Sequence, residues 1–168
     1  PLSALELILG DGLYGDMLTK IDSLQGVAFT GSLPTAKKIQ SNLIEYQNQI
    51  VPLIAETGGI NSMLVDSSAL LEQVTDDVIR SAFDSAGQRC SALRVLCIQE
   101  EIYEELVDMI KGNMITQKIG DPNHFDTDIG PIINKEAILN LNKYIEECRE
   151  QEFDVFQTFK HNDDKHIS

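Results

Sequence analysis

Cys90 is the strongest candidate nucleophile in this sequence. It lies in the polar segment 87–92 (GQRCSA), which a glycine opens, and not on the apolar face of a helix or strand. The neighbouring cation at Arg89 would favour the thiolate, which is the nucleophilic form of cysteine. A free cysteine is more often a small buried hydrophobe, so this segment by itself leaves a catalytic and a structural interpretation open.

The remaining cysteines and the histidines do not suggest further chemistry. Cys97 lies in the apolar run before Gln99, which predicts a core position, and Cys148 near a helix end is also interpreted as structural. Three cysteines without a CxxC pair indicate neither a disulfide framework nor a zinc cluster, and favour a reducing cytoplasm. No histidine lies in HxxxH or HExxH spacing, so we expect no metal site. A cysteine–histidine dyad of the protease kind stays an alternative without a supporting motif.

Glu56 is the candidate general base. It follows the apolar run 50–55, which predicts a buried strand, and precedes Gly58 and Gly59. A carboxylate at the end of such a strand is expected to be partly desolvated, which suits a general base. The alternative is a solvated loop acid with no chemical role.

Thr30, Gly31 and Ser32 form a turn between a predicted strand and a predicted helix. Ser32 is a natural N-cap and Pro34 suits the first helical turn. Unpaired backbone N–H groups at a helix start, with a glycine that permits close approach, suit a pyrophosphate. An ordinary capped helix is the alternative.

The pattern of elements predicts an α/β layered fold with mainly parallel strands, because short apolar runs alternate with helical periodicity. In such a sheet, ligands bind beyond the carboxyl ends of the strands, where the turn at 30–32 and Glu56 both lie. The predicted strands are 5–9, 26–29, 50–55, 62–65, 93–98 and 153–159. The predicted helices are 13–21, 33–47, 100–116 and 135–150. A further helix is predicted after the capping residues 66–68 and stops at Gly87.

Composition narrows the classes of partner. The net charge of −14, from 13 basic and 27 acidic residues, repels phosphate backbones, so we expect no nucleic-acid partner. Hydrophobic residues make up 42% and charged residues 24%, which predicts a folded, soluble chain. No apolar run reaches the roughly 18 residues that a membrane span needs.

Four motifs in one order resemble the aldehyde dehydrogenase superfamily: VAFTGS at 27–32, ETGG at 56–59, GQRCSA at 87–92 and IGP at 129–131. The spacing from Glu56 to Cys90 also matches that family. Longer runs at 54–61, 65–70 and 81–96 are similar to the glutamate semialdehyde (1-pyrroline-5-carboxylate) dehydrogenase module of the bacterial bifunctional proline utilisation A family. The likeness covers nearly the whole chain.

The resemblance implies a mechanism and a cofactor, NAD. Cys90 would attack the aldehyde carbon, the resulting thiohemiacetal would give a hydride to the nicotinamide, and Glu56 would activate water to hydrolyse the thioester. The turn at 30–32 would face the pyrophosphate and Gly58 would border the nicotinamide.

Arg89 and Ser91 flank the nucleophile and would hold the carboxylate of the semialdehyde. In an extended segment their side chains point away from that of Cys90, so a role in packing or structure is the alternative.

Members of this family are longer, so we expect an internal fragment that is inactive in isolation. The resemblance implies a three-layer fold in which residues 1–56 end a Rossmann-like NAD-binding domain and residues 57–168 begin the catalytic domain. FAD would belong only to a fused proline dehydrogenase module outside this chain, and the full-length protein would form homo-oligomers. An aldehyde dehydrogenase of other substrate range and a non-catalytic remnant are the competing interpretations.

Overall fold

Helices alternate with short parallel strands in the computed structural model, which describes residues 4–158. The chain divides into two compact units, an N-terminal unit that ends at Gly59 and a C-terminal unit that begins at Ile60. The helices are α1 Gly12–Leu18, α2 Leu33–Tyr46, α3 Leu71–Ala82, α4 Tyr103–Thr116 and α5 Lys135–Glu150, and the strands are β1 Val27–Gly31, β2 Leu53–Thr57, β3 Asn61–Val65 and β4 Leu93–Ile98.

In the N-terminal unit, α2 connects the parallel strands β1 and β2. Its start is formed as predicted: the Ser32 side chain accepts a hydrogen bond from the backbone N–H of Thr35, and Pro34 lies in the first turn. Ala36 and Leu43, seven positions apart on one face of the helix, are buried. This β–α–β arrangement is the expected α/β unit.

Asp16 in α1 is the centre of a polar network that joins α1 to α2. Its carboxylate accepts hydrogen bonds from Lys20 at 2.7 Å and from the buried amide of Asn42 at 2.9 Å, and Lys38 lies 3.0 Å away. The hydrogen bond from Lys20, with those from Asn42 and Lys38, holds the pKa of Asp16 well below its ordinary value. The ionised carboxylate therefore stabilises the folded state.

Replacing Asp16 by asparagine should lower the free energy of unfolding most at neutral pH. Because the folded-state pKa is depressed, the contribution is fully present above the unfolded-state pKa of about 3.9 and is lost as pH falls through the folded-state value. Denaturant titrations at several pH values should show the two chains converging in acid. Asp22→Asn is the matched control, since Asp22 is exposed. A difference that is independent of pH would contradict this role.

In the C-terminal unit, α3 and α4 pack against each other beside the parallel pair β3 and β4. Val78 and Ile79 of α3 and the fully buried Leu106 of α4 form the core with Ala92 and Leu93. The predicted strand 93–98 and helix 135–150 have the predicted bounds. No helix within residues 4–158 is long and apolar enough to cross a bilayer.

Three predicted features of burial are wrong. Residues 5–9 form no strand and are exposed. The second strand runs over 53–57, and Ile50 and Ile54 are 100% and 64% exposed. Cys97 of β4 is exposed, not in the core. Each described sheet has only two strands, so an apolar side chain finds fewer covering neighbours than its sequence pattern suggests.

Several predicted boundaries also differ. Helix α3 begins after Leu70 without a side-chain cap, because Asp66 instead accepts hydrogen bonds from the backbone and hydroxyl of Ser68 in the preceding turn. The same helix ends at Ala82, not at Gly87, and a 3₁₀ turn precedes α4 at Glu100–Ile102. Residues 153–158 form no strand, and the predicted strand end and the tail beyond it lie outside the described residues.

Candidate active site

Thr30 and Glu56 are brought together at the carboxyl end of the first sheet. They are Cα partners in the parallel register of β1 and β2, as Gly31 and Thr57 are one position further on. Partners in a parallel pair present their side chains on the same face. Thr30 and Gly31, which were predicted to lie in a turn, instead form the end of β1. The expectation that residues 30–32 and Glu56 share one sheet edge is confirmed.

Glu56 lies inside β2, one residue before its end, and not in the turn that follows. Its side chain is exposed, so the expected desolvation by a buried strand is absent within this chain. Gly58 is also exposed, and a Cβ added to it would meet no atom within 4 Å. Open space therefore surrounds the residue that the resemblance placed beside the nicotinamide.

The β1–α2 turn has the features of an anion site. The N–H of Thr35 donates to the side-chain oxygen of Ser32, and the N–H of Ala36 donates to the Ser32 carbonyl. Pro34 has no N–H. The N–H of Leu33 has no acceptor within the described residues, at the positive end of the helix dipole. A Cβ at Gly31 would lie 2.5 Å from the tip of the Phe29 ring, so a larger residue there would require that side chain to move. The turn thus fits a pyrophosphate group.

Cys90 lies in a turn at the amino end of β4. The N–H of Ala92 donates to the carbonyl of Arg89 at 3.3 Å, and Cys90 and Ser91 are exposed between them. The segment is a turn and not extended, so the alternation of an extended segment, on which the structural alternative for residues 89 and 91 was based, does not apply. The side chain of the nucleophile candidate is exposed, so packing around it does not hold it in place.

A left-handed run precedes this turn. Ser85, Ala86 and Gly87 have φ values of 57°, 53° and 68°, a conformation that L-residues rarely adopt. A Cβ at Gly87 would lie 2.8 Å from the carbonyl oxygen of Ala82, so glycine is required there. The chain thus reverses between α3 and Cys90 through a strained turn, which surrounding contacts must hold.

Arg89 is engaged with the end of α3. Its Nη2 donates to the carbonyls of Arg80 at 2.6 Å and Ser81 at 3.3 Å, which lie in the last turn of that helix. These contacts support the structural alternative for Arg89. A guanidinium has five N–H donors, so they do not exhaust its capacity to hold a carboxylate.

Gln88 joins the cysteine segment to the IGP motif region. Its amide nitrogen donates to the carbonyls of Ser85 at 3.1 Å and Pro131 at 3.2 Å, and its amide oxygen accepts from the N–H of Ile133 at 2.8 Å. A single carboxamide therefore ties together two of the motifs that the sequence presents separately.

Asn61 is the contact that sequence reasoning missed. Its amide nitrogen donates to the carbonyl of Cys90 at 2.8 Å and to that of Ala92 at 3.0 Å. A signal was available: if β3 and β4 are parallel neighbours, the first residue of β3 lies beside the segment that leads into β4. Asn61 thus belongs with Cys90 in the site.

Each unit, taken by itself, carries a residue type that is used in covalent chemistry on an electrophilic carbon. The C-terminal unit presents an exposed thiol on a held turn, and the N-terminal unit presents a carboxylate beside a turn that fits a phosphate group. Residues 4–158 contain no group of three side chains that could hold a metal ion.

Comparison with known proteins decides the family. Residues 1–166 match the model of the aldehyde dehydrogenase family. The chain belongs to the aldehyde dehydrogenase family. It is 48% identical over 166 residues to the bifunctional protein PutA of Escherichia coli K12, and 33% identical over 150 residues to the 1-pyrroline-5-carboxylate dehydrogenase of Bacillus subtilis 168.

This aldehyde dehydrogenase chain matches only part of each relative. The matches cover 96% of the chain and 13% of the E. coli protein, and 87% of the chain and 29% of the B. subtilis protein. A crystal structure of Bradyrhizobium japonicum proline utilization A has a TM-score of 0.86 and 48% identity over 89% of this chain and 15% of that one. The α/β fold is thus a part of the aldehyde dehydrogenase fold.

Proposed function

We propose that this chain is part of an NAD-dependent L-glutamate γ-semialdehyde dehydrogenase of proline catabolism in the cytoplasm. The main support is Cys90, exposed on a held turn, in a chain 48% identical to a bifunctional PutA protein. The similar B. subtilis protein is named 1-pyrroline-5-carboxylate dehydrogenase, and this name is the basis for the proposed substrate class.

The chain's own residues would carry two steps of the reaction. The Cys90 thiolate forms an S–C bond to the aldehyde carbon, which becomes tetrahedral. When bound, NAD supplies the oxidant by accepting the hydride from that carbon. Glu56 then takes a proton from water, the water oxygen bonds to the thioester carbon, and the S–C bond breaks to release glutamate and the cysteine sulfur. An aldehyde without the sulfur is a poor hydride donor, which is why covalent capture is useful.

Thr30, Gly31 and Ser32 would hold the pyrophosphate of NAD, and Gly58 would border the nicotinamide. The N–H of Leu33, which has no acceptor among residues 4–158, and the close approach to the backbone that Gly31 permits support the first assignment. The open space around Gly58 and its position two residues after Glu56 support the second. The two domain roles follow: an NAD-binding part over 1–56 and a catalytic part over 57–168.

The larger assembly is a proposal as well. The relatives that are 46–50% identical are bifunctional by name. We infer a polypeptide in which a proline dehydrogenase module with FAD accompanies the aldehyde dehydrogenase module, and in which the modules form homo-oligomers.

A chimera tests the proposed activity. In the E. coli bifunctional protein, residues 1–166 of this chain replace the segment they match, and NADH formation is followed with the semialdehyde. We expect turnover by this chimera, and none by the isolated chain, which spans only 13% of that relative. A folded chimera that binds NAD but oxidises no aldehyde would contradict the proposal, and one that prefers simple aldehydes would indicate another substrate range.

Replacing Arg89 by methionine or Ser91 by alanine in the chimera should raise KM for the semialdehyde by about 10- to 100-fold, the value of a charged hydrogen bond. An aldehyde without a carboxylate loses no such contact, so its KM should change little. Steady-state kinetics with both substrates measure the difference. An equal increase in KM for both substrates would show that these residues support the fold and do not bind the carboxylate. The hydrogen bonds of Arg89 to the end of α3 would then account for its effect.

A further inference from the structure

Four carbonyl groups around Cys90 are held by only two side chains. Arg94 Nη2 donates to the carbonyls of Gly87 at 2.7 Å and Arg89 at 3.4 Å. Asn61 holds the carbonyls of residues 90 and 92, as described above. Both sides of the nucleophile's turn are therefore fastened to the strands β3 and β4.

A β-bulge brings these two side chains to the turn. Asn61 pairs with Leu93, but the next residue, Ser62, pairs with Val95, so Arg94 has no partner on β3. A bulge locally redirects the side chains of the bulged strand, and such irregularities are frequent beside active sites. Arg94, which has no partner on β3, and Asn61, the first residue of β3, are the two residues whose side chains donate to these four carbonyls.

The turn needs such support for two reasons. Ser85 and Ala86 before it are left-handed without being glycine, so the local backbone favours relaxation to another conformation. Cys90 itself is exposed and has no burial to fix its direction. Hydrogen bonds to its carbonyl and to those around it are the described contacts that hold the backbone from which the sulfur projects.

We propose that Asn61 and Arg94 form a carbonyl clamp that positions Cys90 for attack. The side chains of Asn61 and Arg94 donate to backbone carbonyls of the turn, so both are positioning residues. The inference rests on the proposed role of Cys90 as nucleophile. Because the clamp orients a reacting atom, its loss slows the covalent step at each competent site and leaves the number of competent sites unchanged.

Site-resolved alkylation of the 168-residue chain tests the clamp without any turnover. Iodoacetamide is added to the wild type, Asn61→Ala and Arg94→Met, and peptide mapping follows Cys90, Cys97 and Cys148 in one sample. The rate at Cys90 falls several-fold in both variants, while the other two cysteines keep their rates. Asn140→Ala, an exposed change on α5, is the matched control. An unchanged rate at Cys90, or equal changes at all three cysteines, overturns the proposal.

The pre-steady-state burst of NADH in the chimera gives the second measurement. With Glu56→Gln present, the burst rate reports the steps up to the thioester, and its amplitude counts competent sites. Asn61→Ala slows the burst by about 10- to 100-fold at unchanged amplitude, and Arg94→Lys retains more of the rate than Arg94→Met. A reduced amplitude at unchanged rate, or no change, overturns the clamp. A parent chimera without any burst would instead contradict the proposed function, and the alkylation rates still decide the clamp.

Discussion

Replacing Cys90 by serine in the chimera should lower NADH formation from the semialdehyde by at least about 10³-fold. A hydroxyl without an activating base does not add to the aldehyde at a useful rate, and the aldehyde carbon then stays trigonal. Initial rates of NADH formation measure the loss. Because Cys90 lies in the C-terminal unit and the proposed pyrophosphate turn lies in the N-terminal unit, NAD affinity, measured by titration, should be unchanged.

The other cysteines supply the controls. Cys97, exposed on β4, and Cys148, half-buried on α5, are changed to serine one at a time. Both variants should keep the activity of the parent chimera. If Cys97→Ser abolished turnover while Cys90→Ser did not, the assignment of the nucleophile would be wrong.

Replacing Glu56 by glutamine should lower steady-state turnover by about 10²- to 10⁴-fold, the usual contribution of a general base. The amide keeps the shape of the side chain but cannot take a proton from water. Since this base acts after the hydride has left, each site should still form one NADH before it stalls as a thioester. Rapid mixing should therefore show a full burst followed by a slow phase.

Hydroxylamine provides a check on that interpretation. It attacks a thioester without needing a base, so it should restore turnover to Glu56→Gln and do nothing for Cys90→Ser. Glu45→Gln, an exposed change on α2, is the matched control and should behave as the parent does. If Glu56→Gln lost both the burst and the steady-state turnover, Glu56 would act in an earlier step or would be needed for folding.

The sequence was sufficient where the determining interactions are local. The cap of α2 needs only Ser32 and the next three residues, and α5 follows a periodic pattern between Asn134 and Glu150, so both were predictable. The order of four motifs predicted the family, and the alternation of elements predicted that Thr30 and Glu56 share a sheet edge. Such patterns depend on neighbours along the chain.

Burial and the geometry around Cys90 were decided by tertiary structure. Ile54 and Cys97 have core-like sequence surroundings, yet both are exposed, because burial depends on which layers cover a two-stranded sheet. The bond from Asn61 to Cys90 joins residues 29 positions apart through a parallel pairing and a bulge. Sequence by itself determined which residue is the candidate nucleophile. Tertiary structure decided what holds it, since strand register brings distant residues into contact and local pattern cannot specify that register.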